Sequence, residues 1–235
     1  MNNRFAPITF SWGFVDAPLR ETVETFSKWQ KSAIRTPKVS RFNSISLSDG
    51  LEYLQPLDYE GQRSLFISTR SKWTAYFENN ARGSQPGTVI GYLCEQMKCS
   101  GLTCSSIPTT LSKNEIGKKH GTWGAVEFKM YAPHRTDFLN LMREVSLRND
   151  VSGWTFAANG EIQPFESSDA YSSKRNVDKF STDMLEDYFR FFGIDLFSDE
   201  FYGGESIVVW SYYWFLPRVK KVSLLEAQKA LGIVD

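Results

Sequence analysis

The segment that decides the fold is residues 64–79, SLFISTRSKWTAYFEN. Two apolar runs, 64–69 and 72–79, lie on either side of the polar dipeptide Arg70-Ser71. Short apolar runs bounded by turn residues are typical of strands, and a short polar connection between two such runs is typical of a hairpin. The segment therefore predicts two antiparallel strands and, with them, a fold built on a sheet.

Similar patterns recur on both sides of this hairpin. Strand patterns occur at 8–14, 102–107, 125–131 and 206–215, with an extended polar stretch at 35–47. Helix patterns occur after the cap Asp16, after a cap at 48–49, at 89–97 with Gly101 as the stop, at 138–145, at 185–192, and after the capping box of Ser223 and Glu226. Residues 108–121 are basic and lack periodicity, which predicts a mobile surface loop.

Two of these predictions rest on local signals. The helix at 138–145 is predicted from the spacing of Phe138, Leu141, Met142 and Val145. A second hairpin is predicted around Asn159-Gly160, because this dipeptide supplies the positive φ angles of a tight turn. Its arms would be 154–156 and 162–165, with Pro164 placing the second arm at a sheet edge.

The order of these elements predicts the fold class. Strand and helix patterns are mixed along the chain, which favours an α+β fold. We expect a mainly antiparallel sheet with amphipathic helices packed against it. The length favours a single globular domain over residues 1–235, with a candidate subdivision near 108–121.

The charge balance limits the kinds of partner. The chain has 27 basic and 27 acidic residues. A neutral chain has no overall field to attract a polyanion such as DNA or an anionic bilayer. Residues 1–7 lack the apolar segment that export requires, and no run approaches the roughly 18 to 20 apolar residues that span a membrane. We therefore expect a cytoplasmic protein that binds no membrane and is unsuited to general nucleic-acid binding.

Potential metal ligands are few. Cys94, Cys99 and Cys104 have five-residue spacing, unlike the two-residue spacing of a zinc knuckle. His120 and His134 are the only histidines. We expect reduced thiols, no metal site and no cofactor.

Short motifs of common enzymes are absent from the sequence, including phosphate loops, nucleophile elbows and zinc-protease motifs. One pair of residues could support chemistry. Glu127 and Lys129 are separated by one residue on the predicted strand 125–131, so they point to the same face of a sheet. This is the E-x-K half of a metal-dependent nuclease site, in which a carboxylate holds Mg²⁺ and a lysine steadies the attacking water.

Such a nuclease site needs a second acid. The nearest preceding candidates are Glu78, Glu95 and Glu115. The simpler interpretation of Glu127 and Lys129 is an ion pair on an exposed strand face. We therefore expect no catalytic residue, and keep this pair as the site of an alternative nuclease or other hydrolase activity.

Acidic residues are concentrated between 176 and 206, where eight acids face only Lys179 and Arg190. Aromatic residues are interleaved with these acids, namely Phe191, Phe192, Phe197, Phe201 and Tyr202. Charge steers encounter and buried rings supply affinity at protein interfaces. The predicted partner-binding residues are Asp195, Asp199, Glu200, Phe197, Phe201 and Tyr202. The alternative is a solvated surface over core rings.

Three segments carry a resemblance to known proteins. WGFVDAPL at 12–19, WTAYFEN at 73–79 and QPFE at 163–166 resemble segments of a group of uncharacterised bacterial proteins of similar length. The resemblance implies a bacterial origin and a single domain. Because the group has no assigned activity, it implies no role for any residue.

Taken together, these patterns favour a non-catalytic cytoplasmic interaction protein over an enzyme. The most concrete form is a bacterial immunity protein that neutralises a basic toxin domain. The alternatives are a metal-dependent nuclease or other hydrolase using Glu127 and Lys129, and a small-ligand-binding protein with an aromatic pocket, for which the tryptophans would be the source.

Overall fold

The computed structural model describes residues 3–33, 36–111, 120–136, 138, 140–212 and 219–234. The strands in this part of the chain are β1 (Ser11–Val15), β2 (Thr36–Ser46), β3 (Leu57–Asp58), β4 (Arg63–Thr69), β5 (Thr74–Glu78), β6 (Gly101–Ile107), β7 (Ala125–Tyr131), β8 (Leu141–Asp150), β9 (Gly153–Gly160), β10 (Tyr202–Tyr212) and β11 (Lys221–Val222). The helices are α1 (Leu19–Ser32), α2 (Leu47–Glu52), α3 (Gly87–Met97), α4 (Thr182–Phe191) and α5 (Leu224–Ala230). The fold is α+β, as the sequence predicts.

Nine strands form one antiparallel sheet in the order β2-β10-β4-β5-β1-β6-β7-β8-β9. The predicted hairpin is confirmed as β4 and β5, with Phe66 opposite Tyr76. Strand β7 has the predicted bounds, and β6 to β9 form a continuous meander. The remaining two strands, β3 and β11, pair separately.

Helices cover the two faces of the sheet. Alternating side chains of β5 show how the faces divide: Tyr76 packs with residues of α1 and α3, whereas Phe77 packs with the core that includes α2 and α4. On the second face Phe128 of β7 lies against Tyr188 and Phe189 of α4, with ring centroids 5.5 and 5.7 Å apart. Alternation therefore gives each central strand two buried faces.

The helix predicted at 138–145 is wrong, because Leu141 begins β8. Val145 and Leu147 bury their side chains at two-residue spacing, and Arg143 continues this row although it is charged. Arg143 forms a bidentate pair with Glu166 at 2.8 and 2.6 Å, and their side chains are only 1% and 0% exposed. A buried arginine interrupts the apolar alternation, so helical spacing was the stronger signal in the sequence.

The hairpin predicted around Asn159-Gly160 is also wrong. This dipeptide ends the continuous strand β9, and the turn that precedes it joins β8 to β9 at 151–152. Gly160 does have a positive φ of 85°, but it lies beside the backbone of Met142. Residues 162–165 form no strand, so Pro164 is not on a sheet edge strand.

Helix starts differ from the predictions at two places. Pro18 rather than Asp16 precedes α1, and Asp16 instead pairs with Lys72 at 2.5 Å. Helix α2 is capped by Ser46, two residues before the predicted cap. The capping box of Ser223 and Glu226 is confirmed at α5.

The predicted end of α3 at Gly101 is wrong. The helix ends at Met97, where Lys98 adopts the left-handed conformation with a φ of 54°. Gly101 instead begins β6. A Cβ there would lie 2.4 Å from Cys94 Sγ, so glycine is required by close packing rather than by the helix end.

Most of the predicted mobile loop, residues 112–119, lies outside the described residues, as do 213–215 of the predicted strand 206–215. The described flanks of the loop contact the end of the chain. Thr110 Oγ1 donates to the carbonyl of Leu231 at 2.6 Å, and the amide of Gly121 donates to the carbonyl of Ala230 at 2.9 Å.

Candidate functional site

A cleft of about 480 Å³ lies on the sheet face that carries α1 and α3. Its floor includes residues of β6 and β7, and its wall is residues 82–88, which lead into α3. Gly87 allows the wall to approach the floor closely, because a Cβ there would lie 2.7 Å from the Tyr131 hydroxyl. The cleft is thus built where α3 no longer covers the strands.

The sequence-predicted pair, Glu127 and Lys129, lines this cleft. Both side chains project from the same face of β7, with Lys129 Nζ 3.9 Å from Glu127 Oε2. This confirms the predicted geometry of the pair. It places the two charges beside a space that a ligand could enter.

A second acid, which the alternative nuclease site would need, is present at Glu144 of β8, and the sequence analysis missed it. Glu144 lies directly opposite Lys129 in the β7-β8 register, with Lys129 Nζ 3.1 Å from Glu144 Oε1. Of the acids named from the sequence, Glu78 instead interacts with Tyr76 and the Gln85 amide. Glu95 is on α3, and Glu115 lies outside the described residues.

Arg148 completes a group that we call the charge lattice: Glu127, Lys129, Glu144 and Arg148. Arg148 Nε donates to Glu127 at 2.5 Å, and its Nη2 donates to Glu144 at 3.3 Å. Burial opposes ionisation of Glu144, but Lys129, Asn159 and Arg148 together outweigh it and hold the pKa of Glu144 below its usual value. The hydrogen bond to Glu127 raises the pKa of Arg148.

The charge lattice contains two carboxylates and two cations, so its charges balance. A Mg²⁺ ion would have to displace Lys129 and Arg148 from both acids before it could be bound by them. Within the described ranges, no three His, Cys, Asp or Glu side chains are grouped as metal ligands. His120 and His134 are both exposed. The arrangement is therefore better suited to recognising charge than to holding a catalytic metal.

The six predicted partner-binding residues separate into surface acids and packed rings. Asp195, Asp199 and Glu200 are exposed, and Glu200 lies 3.9 Å from Arg70. Phe201 and Tyr202 are buried, and the Tyr202 hydroxyl donates to the carbonyl of Leu196 at 2.7 Å. The half-buried Phe197 packs edge-on against Trp12. These rings hold the acidic segment on the core.

The structure exposes a different ring in the same acidic stretch of the sequence. Phe191 is 63% exposed at the end of α4, although one side of it packs on Phe165, with ring centroids 4.9 Å apart. Asp183 and Asp187 precede it at four-residue intervals and are also exposed, so the three residues form one stripe. The exposure of Phe191 could have been predicted from helical spacing, because this residue falls outside the buried stripe of Leu185, Tyr188 and Phe189.

Among the described residues, the rings that line the cleft are Tyr131 and Phe138. Trp12 and Trp73 are buried, Trp123 and Trp154 are half-buried, and Trp210 is 37% exposed. Trp214 lies outside the described residues. Cys94, Cys99 and Cys104 form no disulfide bond in the structure.

Comparison with protein-family models, curated proteins and solved structures gives no significant match to the chain. Among the helices of the described residues, none combines the length and apolar character needed to cross a membrane.

Proposed function

We propose that this chain is a non-catalytic binding protein that captures a basic protein partner. Its docking surface, which we call the acidic face, consists of Asp183, Asp187 and Phe191 on α4 together with Asp195, Asp199 and Glu200. The observation that carries the proposal is the 63% exposed ring of Phe191 within a strongly acidic stretch. Aromatic residues are enriched among the anchors of protein interfaces, and acids outnumber the single cation Arg190 on α4 around Phe191.

Charge and packing have separate roles on this surface. The exposed carboxylates would attract a basic partner over several ångströms and speed its encounter. Arg190 neutralises part of the charge, since it pairs with Glu186 at 2.6 Å and with Asp187 at 2.7 Å. Affinity would come mainly from Phe191 entering an apolar pocket on the partner.

The charge lattice supports a non-catalytic role, because Glu127 and Lys129 are each engaged by an oppositely charged neighbour. In its most concrete form the proposal is an immunity protein of a bacterial cytoplasm, which binds a basic toxin domain and blocks it. A toxin of this kind encoded next to this gene, and inhibited by the purified chain, would support that form.

The experiment is affinity measurement with a partner captured from the source cells. We expect Phe191→Ala to weaken binding by about tenfold or more, as loss of an interface anchor does. Replacing Asp195 and Asp199 by Asn and Glu200 by Gln should weaken it by about threefold to a hundredfold, because each exposed charge contributes roughly 0.2 to 1 kcal/mol.

Matched controls carry equal changes elsewhere. Leu225→Ala removes an apolar side chain that is 55% exposed on α5. Glu21→Gln, Glu24→Gln and Glu60→Gln together remove three exposed acids from other surfaces. Both controls should bind like the wild type. If the partner is acidic, or if all variants bind it equally, the acidic face is not the docking surface.

A further inference from the structure

The cleft beside the charge lattice has an excess of positive charge. The charged residues in its lining are Arg82, Lys129 and Arg148, against Glu127 alone. Within the lattice Glu144 balances one of these cations, but Glu144 is not part of the cleft lining. With Glu144 counted, three cations and two carboxylates lie around the cleft, and this net positive charge favours an anion.

The floor of the cleft supplies hydroxyl groups. Ser11, Thr103 and Ser105 line it, and Ser11 and Thr103 are buried. Ser11 Oγ and Ser105 Oγ lie 2.9 Å apart. Burial raises the pKa of Tyr131 to about 12, although Thr103 partly opposes this, so the Tyr131 hydroxyl keeps its proton. Hydroxyl groups that can donate are suited to the oxygen atoms of an anion.

The start of α3 adds to this field. Pro86 is the N-cap of α3 and supplies no side-chain hydrogen bond to the first turn. Gly87 and Thr88 of that turn line the cleft. The amide end of a helix carries partial positive charge and favours anions, so it acts in the same direction as the three cations.

One part of the lining is apolar. Phe138 is 67% exposed, and Ile107, Leu141 and Pro86 line the cleft with it. A volume of about 480 Å³ is in the range of small-molecule sites. An inorganic ion would leave this apolar surface unused.

We propose that the cleft binds a small organic oxyanion, a phosphate or carboxylate attached to a compact apolar body. The oxyanion faces Arg82, Lys129 and the floor hydroxyls, and the apolar body contacts Phe138. This site is independent of the acidic face, because Phe128, which lies between Glu127 and Lys129 on β7, points to the opposite side of the sheet and packs on α4.

Titration calorimetry on the full chain tests the site with a set of simple probes. Phenyl phosphate and benzoate carry the two kinds of oxyanion on a ring, and the stronger of the two identifies the head group. Inorganic phosphate lacks the ring, and benzyl alcohol and benzylamine lack the anion. We expect at least one ring oxyanion to bind at low-millimolar concentration or below, more tightly than inorganic phosphate and than either uncharged or cationic probe.

Two variants assign the binding to the cleft. Arg82→Gln changes an exposed side chain and should weaken the ring oxyanion by about tenfold, the loss expected for a charge-assisted hydrogen bond. Phe138→Ala should reduce the preference for phenyl phosphate over inorganic phosphate by about threefold or more. The control Arg20→Gln removes an exposed cation that pairs with Glu205 elsewhere, and should bind normally.

Three results would overturn the proposal. Benzyl alcohol or benzylamine could bind as tightly as the oxyanions, no oxyanion could bind the wild type, or Arg82→Gln could bind as the wild type does. None of these outcomes depends on the acidic face, so failure here is distinguishable from failure of the proposed protein partner.

Discussion

Two neighbouring residues of β8 belong to two ion-pair networks on opposite faces of the sheet. Arg143 joins Glu166 in a pair whose side chains are 1% and 0% exposed. Glu144 joins the charge lattice, whose side chains are 16% to 53% exposed. The first network is closed to water, whereas the second faces the cleft. Charges of the same kind therefore serve structure on one face and remain accessible to a ligand on the other.

The buried network is fully satisfied. Arg143 also donates to the carbonyls of Asn159 and Gly160 at 3.2 and 2.8 Å. Glu166 accepts from the Tyr171 hydroxyl at 2.6 Å and from the Gln163 amide at 2.9 Å. These bonds fix the segment after β9 against the sheet. Isolated burial of either charge would be costly, which is why removal of one partner should have a large effect.

The largest expected effect follows from breaking this pair. Glu166→Gln keeps the side-chain volume but leaves the Arg143 charge buried without a counter-ion. We expect the free energy of unfolding to fall by about 3 to 5 kcal/mol, measured by urea denaturation. The double variant Arg143→Met with Glu166→Leu should recover much of the loss, because it removes both charges. A loss below about 1 kcal/mol in the single variant would show that the pair is not closed to water.

Within the part of the chain that the structure describes, Glu78 has no such ion pair, and its contribution to stability should change with pH in the direction opposite to that of Glu166. Burial raises the pKa of Glu78, although hydrogen bonds from Gln85 and Tyr76 oppose this. For Glu166, burial also opposes ionisation, but hydrogen bonds from Arg143 and Tyr171 prevail and lower its pKa. Glu78 therefore contributes stability that is complete below the usual pKa of 4.5 and is lost as pH rises through its raised folded-state value.

Glu78→Gln cannot ionise, so its stability relative to the wild type should increase as pH rises from acid toward neutral, and then level off. Urea denaturation at a series of pH values measures it. Glu21→Gln, on an exposed turn of α1, is the control and should show no such trend. If the difference in the free energy of unfolding between Glu78→Gln and the wild type does not change with pH, the pKa of Glu78 is the same in the folded and unfolded states.

The difference between local patterns and long-range partners explains which parts of the fold could be predicted from sequence. The β4-β5 hairpin, β7 and the α5 capping box depend on local apolar patterns or caps, and the structure confirms them. Strand β8 was missed because its buried row includes Arg143, whose partner Glu166 is 23 residues away. No local pattern can show that a distant carboxylate makes an arginine suitable for burial.

The error at β8 also hid half of the cleft chemistry. The sequence placed Glu127 and Lys129 on one face correctly, since alternation on β7 is a local property. Glu144 was assigned to a helix, so its position opposite Lys129 could not be foreseen. Phe201 and Tyr202 were predicted to bind a partner at the surface. They lie at the start of β10 instead, and their side chains belong to the core.

The smallest expected effect concerns the accessible network. Glu127→Gln removes one charge from the lattice, but water and Glu144 can still serve Arg148 and Lys129, whose side chains are 53% and 25% exposed. We expect the free energy of unfolding to fall by about 1 kcal/mol or less. Neither the wild type nor this variant should cleave nucleic acid with Mg²⁺. Lys28→Gln, which breaks an exposed pair with Glu24 on α1, is the matched control for stability. Robust Mg²⁺-dependent cleavage by the wild type that disappears in Glu127→Gln would instead make Glu127 a metal ligand, and would require Lys129 and Arg148 to move aside when the ion binds.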